Sequence, residues 1–238
     1  MVSPPVFDAV TAWGIGGLAV LVVSAWVWTW SRHRPAARFR LALGAGVVMA
    51  ASALAARTGW LQRFDTAPPP MAIMIASVFA LAFAVGFSPF GRSVAANVAL
   101  STLVGLQAFR LPLELVMHRA GSLGIMPVEL SYSGYNFDIV TGVGALVLWA
   151  LMRSGSRVPA WGVWAWNVWG CSCLAVIAVI AITTSPTVRL IGDDPRHVNS
   201  WVLFFPYVWL PAVLVTIAVT AHVVITRRLL LATPVDVL

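Results

Sequence analysis

Apolar runs of about twenty residues recur along the whole chain, and this pattern limits the folds open to it. A helix needs about 20 mostly apolar residues to cross a hydrocarbon core about 30 Å thick. The runs are continuous and lack the strict alternation of membrane β-strands, so they favour helices. We therefore predict an all-α polytopic membrane protein, a bundle of seven transmembrane helices, with spans at residues 10–30, 39–56, 70–87, 94–117, 138–152, 160–184 and 201–226.

Composition excludes several classes of protein. Hydrophobic residues make up 60% of the 238 residues and charged residues only 10%, which is too much apolar surface for a soluble enzyme of this size. All 15 basic residues are Arg, so a retinal Schiff base or a Walker-type loop, each of which needs Lys, is excluded. The net charge is +7, but the arginines lie between apolar spans and act as topology signals. We therefore predict no nucleic-acid partner.

The arginines also predict the orientation. Nine of them fall on one side of the predicted bundle and five on the other, and Arg110 lies inside a span. The positive-inside rule then places the C-terminus in the cytoplasm and the N-terminus outside. The connections are short, so we expect a single transmembrane domain over residues 1–238 with no folded domain outside the membrane.

One predicted span carries a polar stripe. At 100° per residue, Gln107, Arg110, Glu114 and His118 fall within an arc of about 80° on one helix face. An ionisable residue at the centre of a span costs about 2.5–3.5 kcal/mol, so the stripe should face the bundle interior and find partners there. Pro112 lies in the same helix and should bend it.

Two interpretations of this stripe remain open. Arg110 and Glu114 are four residues apart, and their ion pair could simply hold helices together. Alternatively, Arg110 binds an anion or carboxylate, Glu114 is its partner or carries a proton, and His118 titrates at the mouth of a pocket. Asn136 or Asp138 is the expected N-cap of the fifth helix. If that helix begins below the membrane surface, its amides add to the same pocket.

A metal site and a second polar pair are weaker hypotheses. Glu114 and His118 lie on one helical face and could bind a metal ion with Asp138 and His197, although no two-His helical motif supports this. Spacing alone does not define a haem site between His118 and His197, so haem is disfavoured. Asn167 and His222 lie at matching depths near the inner side and should form an interhelical hydrogen bond.

Several ordered strings resemble a family of uncharacterised bacterial multi-pass membrane proteins, with a similarity that covers roughly residue 68 to the C-terminus. The resemblance implies a bacterial inner-membrane location and supplies no activity, substrate or catalytic residue. Tyr135 stands where the family pattern has a basic residue, and His118 is not a fixed part of that pattern. The strings are Phe109-Arg-Leu-Pro-Leu-Glu-Leu115, Asn136-Phe-Asp-Ile139, Trp166-Asn167 and Phe205-Pro-Tyr-Val-Trp-Leu-Pro211 with His222.

These observations lead to one main functional hypothesis and two alternatives. The main hypothesis is an outward-facing polar pocket around Arg110 and Glu114 that binds or passes a small polar or anionic ligand, or docks a membrane protein partner. The first alternative is an intramembrane metal-dependent enzyme that uses Glu114, His118, Asp138 and His197. The second is a structural subunit of a larger membrane complex.

Overall fold

The structure is a computed structural model that describes residues 2–32 and 35–231. The predicted all-α class is confirmed over these residues, which contain no strand. Their α-helices are α1 (Ala9–Ser31), α2 (Arg38–Arg57), α3 (Pro70–Phe87), α4 (Pro89–Asn97), α5 (Leu100–Gly105), α6 (Arg110–Ser122), α7 (Asp138–Arg153), α8 (Ala160–Thr183) and α9 (Thr216–Leu231).

Six helical segments in the described chain are long and apolar enough to cross a membrane, which makes this a multi-pass membrane protein. They are Ala9–Ser31, Pro35–Arg57, Pro70–Phe87, Leu100–Ser122, Ala160–Thr183 and Leu210–Leu231. The remaining predicted span corresponds to α7, which has 16 residues and is shorter than the length of about 20 that a full crossing needs.

The two ends of the bundle differ in charge. We call one the arginine end; within the described residues it has no acidic side chain, and it holds Arg32, Arg38, Arg40, Arg92, Arg153, Arg157, Arg227 and Arg228. We call the other the mixed-charge end; it holds the segments 58–69, 123–137 and 184–209 with both acidic and basic side chains. The last helical segment lies nearest the core, with 61% of its apolar window buried, whereas the segment containing α2 is peripheral, at 6%.

The predicted span 94–117 has the wrong beginning. The chain forms the separate helix α4, leaves the helical conformation at Val98 and Ala99, and re-enters the bundle at Leu100. Ser88 caps α4 by accepting a hydrogen bond from the Gly91 amide at 3.0 Å. The polar residues of α4, including Arg92, are costly in lipid, so this segment stays at the arginine end and the span begins after it.

The predicted span 201–226 also begins too early. The helix starts at Leu210 with a π-helical turn to Val215 and continues as α9 to Leu231. Pro206 precedes this helix and Pro211 lies in its first turn. A proline lacks a backbone donor and is tolerated only in the first turn of a helix, which explains why the helix does not extend back to Trp201.

Pro112 changes the helix that carries the polar stripe. Residues Leu106–Phe109 form a 3-10 turn between α5 and α6. Proline cannot donate to the carbonyl four residues earlier, and that carbonyl belongs to Ala108, within the 3-10 turn. The span therefore contains a local change of helix type, and the bend at Pro112 stays a prediction.

Helices α6 and α7 approach closely at Gly142. A Cβ atom there would lie 2.4 Å from the Leu111 amide nitrogen and 3.0 Å from the Arg110 carbonyl carbon. Only glycine permits this backbone contact. The contact sets the start of α7 deep in the bundle, beside Arg110, and the segment 123–137 fills the space between it and the end of α6.

Candidate functional site

Arg110 forms a buried ion pair with Asp138. Its Nη1 donates to Asp138 Oδ1 at 2.7 Å, and the two side chains are 1% and 5% exposed. The sequence led us to expect Glu114 as the partner of Arg110, and that pairing was wrong. A helical side chain leans toward the N-terminus of its helix, so Arg110 leans away from Glu114, while the close approach of α7 supplies Asp138.

Asn136 connects the other carboxylate to the start of α7. Its Nδ2 donates to Glu114 Oε1 and to the Leu130 carbonyl, both at 2.9 Å. Its Oδ1 accepts from the Asp138 amide at 3.0 Å, which satisfies an orphan donor of the α7 N-terminus. One amide side chain therefore fixes the positions of both acids relative to each other.

The structure thus brings four of the predicted ligand-binding residues together and places Gln107 one helical turn before them. We call this set the buried polar site. All five residues are buried, with residue exposures of at most 3%, so the site is closed at the mixed-charge end. Its members are Gln107, Arg110, Glu114, Asn136 and Asp138.

Several polar atoms of this site have no hydrogen-bond partner within the described chain. They are both amide atoms of Gln107, Nη2 of Arg110 and Oε2 of Glu114. A buried polar atom without a partner costs about 1–3 kcal/mol, and such atoms in native proteins usually bind water or a ligand. The unsatisfied set contains both donors and acceptors.

His118 lies one turn beyond Glu114, at the margin of the site. Its Nδ1 is 2.8 Å from Ser133 Oγ, and its ring stacks on Tyr132 with a centroid separation of 4.4 Å. Ser133 and Tyr132 belong to residues 131–136, which contact α6 through Ser133 and Asn136 and which we call the covering segment. His118 therefore contacts that covering segment and makes no hydrogen bond to the acids of the site in the described structure.

His197 is held at a separate contact. Its Nδ1 lies 2.5 Å from Glu129 Oε1, and this pair joins the segment before α7 to the segment before the last helix. The described residues contain no group of three or more His, Cys, Asp and Glu side chains placed to hold a metal ion. Sequence reasoning missed Glu129, because nothing local distinguishes it from a solvated loop acid.

Asn167 and His222 meet in the half of the bundle nearer the arginine end. Asn167 Oδ1 lies 2.8 Å from His222 Nδ1, and Asn167 Nδ2 donates to Thr226 at 2.9 Å. His222 is 1% exposed, and its Nε2 has no partner in the described part of the protein. Gly170 makes room for the ring, since a Cβ there would lie 2.4 Å from His222 Cε1.

Thr141 lies between this pair and the buried polar site. It is three residues after Asp138 on α7, and its Cγ2 would be 2.9 Å from a Cβ at Gly170. Its carbonyl accepts from Trp166 Nε1 at 2.9 Å. The sequence offered a signal for this position, because a residue three places after Asp138 shares its helix face.

Ion pairs at the ends of helical segments and in the connections fix the mixed-charge end. Arg119 donates through Nε and Nη2 to the two oxygens of Asp8, at 2.9 and 2.8 Å, and joins the start of α1 to the end of α6. These bonds, together with those from Thr11, hold the pKa of Asp8 below its ordinary value. Hydrogen bonds from Arg196 likewise lower the pKa of Asp194 to about 2.

The fold and the site together define a multi-pass helical membrane protein with an ion pair and a second carboxyl side chain enclosed among its helices. Residues 67–230 match a family described as a domain of unknown function (DUF8737), and the chain belongs to that family. The matched region contains the whole buried polar site. No curated protein and no solved structure matches the chain.

Proposed function

We propose that this protein binds a small polar ligand in the buried polar site, between α6 and the start of α7. The observation that carries the proposal is the set of unpartnered buried atoms on Gln107, Arg110 and Glu114. At about 1–3 kcal/mol each, their unmet hydrogen bonds would cost a large part of the 5–15 kcal/mol stability typical of a protein. A bound molecule that both donates and accepts hydrogen bonds removes that cost.

The charges of the site narrow the ligand class. One guanidinium faces two carboxyl side chains, and Nη1 of Arg110 is already bonded to Asp138. The site has no surplus positive charge for an anion, and an added anion in a medium of low dielectric constant would be strongly disfavoured. We therefore favour an uncharged or cationic ligand over the anion that Arg110 alone suggested.

The covering segment defines the route of entry. Residues 131–136 lie over the site and are attached to α6 by the Ser133–His118 contact and the Asn136–Glu114 hydrogen bond. Displacement of this segment would open the site toward the mixed-charge end. By the positive-inside rule the arginine end is cytoplasmic, so the ligand would enter the site from outside the cell. This orientation assumes a bacterial inner membrane in which α7 is the seventh spanning helix.

The experiment compares ligand-induced stabilisation of purified protein in detergent, using panels of small uncharged, cationic and anionic solutes. The test variant is Gln107→Leu, because neither amide atom of Gln107 has a protein partner in the described structure, so the change breaks no protein hydrogen bond. Gln62→Leu, in the connection after α2, is the matched control. Two lost hydrogen bonds of about 1 kcal/mol each should weaken binding about thirtyfold.

The proposal requires that an uncharged or cationic solute raises the melting temperature of the wild type and of Gln62→Leu but not of Gln107→Leu. Stabilisation by anions alone would contradict the assigned ligand class. Equal stabilisation of all three proteins by every solute would contradict the assigned site.

A further inference from the structure

A groove lies beside the second half of α1, at the other end of this helix from the Asp8–Arg119 ion pair. It has a volume of about 280 Å³ and is bounded by α1 and α2 on one side and by α3 and the last helix on the other. Its lining is almost entirely apolar, with valine, leucine and alanine side chains from all four helices. This groove shares no lining residue with the buried polar site.

Loose packing of α2 creates the groove. Ala56 is its one buried residue, and α2 does not pack closely against α3 within the described ranges. Gly44 and Gly46 lie in the middle of α2, and a Cβ atom added to either of them would have no neighbouring atom within 4 Å. The gap between α2 and α3 is therefore open toward the bilayer, where lipid acyl chains surround the protein.

The length of the groove fits one leaflet. Along α2 its lining runs from Arg40 to Val48, a distance of about 12 Å at the helical rise. The hydrocarbon of one leaflet is about 15 Å thick, half of the bilayer core. A single acyl chain anchored at the arginine end would thus run along the groove for most of its length.

Trp26 and Trp30 line this largely apolar groove. Nε1 of Trp26 and Nε1 of Trp30 are buried and have no hydrogen-bond acceptor in the described part of the chain. The two rings meet edge to face at 4.5 Å, and Trp30 also contacts Phe90 at 5.3 Å. Because both nitrogens are inaccessible to solvent, they do not reach a molecule in the groove, and the two rings contribute apolar surface to its lining.

The groove leads into a second depression at the arginine end. This depression has a volume of about 490 Å³, and Arg40 and Leu41 line both spaces. Arg40 has no carboxylate within 4.0 Å among the described residues, and this end of the described bundle has arginines without acids. The apolar groove and the unpaired guanidinium together match a molecule with an anionic head group and an apolar tail.

We propose that this groove binds an anionic phospholipid from the leaflet at the arginine end. One acyl chain occupies the space between α2 and α3, and the phosphate lies against Arg40. A basic residue near an anionic head group increases the binding affinity about fivefold. The proposal is independent of the ligand in the buried polar site.

Native mass spectrometry of the full chain with defined lipids tests this proposal. The probes are phosphatidylglycerol and phosphatidylcholine with identical acyl chains. Gly44→Leu adds a side chain at a residue that lines the groove, and an added Cβ atom there meets no atom within 4 Å. Gly46→Leu is its matched control, because Gly46 has equally open surroundings for a Cβ atom but does not line the groove. Arg40→Gln removes the head-group contact, and Arg92→Gln is its control at the same end.

The wild type should retain phosphatidylglycerol about fivefold better than phosphatidylcholine. Arg40→Gln should abolish this preference and Gly44→Leu should remove the retained lipid, whereas Gly46→Leu and Arg92→Gln should behave as wild type. Equal retention of both lipids by the wild type would mean general annular lipid only and would overturn the proposal. Undiminished retention by Gly44→Leu would overturn the assigned groove.

Discussion

Replacing Arg110 by methionine should destabilise the protein through the charge left on Asp138. The pair is joined at 2.7 Å and is almost fully enclosed, and loss of one partner of a buried pair typically costs about 3–5 kcal/mol. Coulomb's law gives the same scale, about 4 kcal/mol for charges 4 Å apart at an effective dielectric constant of 20. We expect Arg110→Met to lower the free energy of unfolding by about this amount.

A double-mutant cycle identifies the partner. Arg110→Met combined with Asp138→Asn should recover much of the loss, with a coupling energy of about 2–3 kcal/mol. The cycle with Glu114→Gln should give less than about 1 kcal/mol, since Glu114 is hydrogen-bonded to Asn136 instead. Reversible unfolding in mixed micelles, followed by far-ultraviolet circular dichroism, measures both. A wild-type stability for Arg110→Met, or stronger coupling to Glu114, would refute the reasoning.

Three further predictions concern the contacts around the site. Asp8→Asn keeps the helix cap but loses the ion pair with Arg119. Because the pKa of Asp8 is lowered in the folded protein, the wild type should melt at a higher temperature than this variant by a constant amount above about pH 4. That difference should vanish as the pH falls further. Gly142→Ala should cost about 1–3 kcal/mol by overpacking, whereas Gly46→Ala should cost nothing in the same unfolding assay. Trp166→Phe should cost about 0.5–1.5 kcal/mol through its lost hydrogen bond, measured in the same way.

Each of these has a contradicting result. A wild-type advantage over Asp8→Asn that persists unchanged in acid would show that the ion pair does not contribute to folding. Equal stabilities of the two glycine variants would show that α6 and α7 are not in backbone contact. A free energy of unfolding for Trp166→Phe equal to that of the wild type would mean that the indole hydrogen bond contributes no net stability.

The sequence could predict the helical class and the interior position of the polar stripe. Both follow from local patterns, because apolar runs define spans and ionisable residues inside a span require partners. The prediction that Asn136 or Asp138 is the N-cap of α7 was wrong, because Phe137 occupies that position, although Asn136 accepts a hydrogen bond from the Asp138 amide. The hydrogen bond expected between Asn167 and His222 depended only on their matching depths.

The partner of Arg110 could not be predicted because it depends on the depth at which α7 begins. That depth is set by the irregular segment 123–137 and by the close approach at Gly142, and neither has a periodic signal. The predicted first residues of two spans were wrong for a related reason. The apolar pattern continues through α4 and through the segment before Leu210, although Arg92 and two prolines exclude a continuous helix there.

The lipid groove had no sequence signature either. The apolar residues of α2 resemble those of any spanning helix, and only the structure shows that Ala56 alone among them is buried. Likewise, the unpartnered atoms of Gln107 become informative only when the surrounding helices are in place, because hydrogen-bond satisfaction is a property of the packed bundle.

The most direct test of the buried polar site is an experimental density map of the purified protein at a resolution that shows ordered water. We predict density within hydrogen-bond distance of Gln107, Arg110 Nη2 and Glu114 Oε2 that is larger than a single water in wild type and absent in Gln107→Leu. Apolar side chains packed against these atoms, with no density between them, would contradict the account.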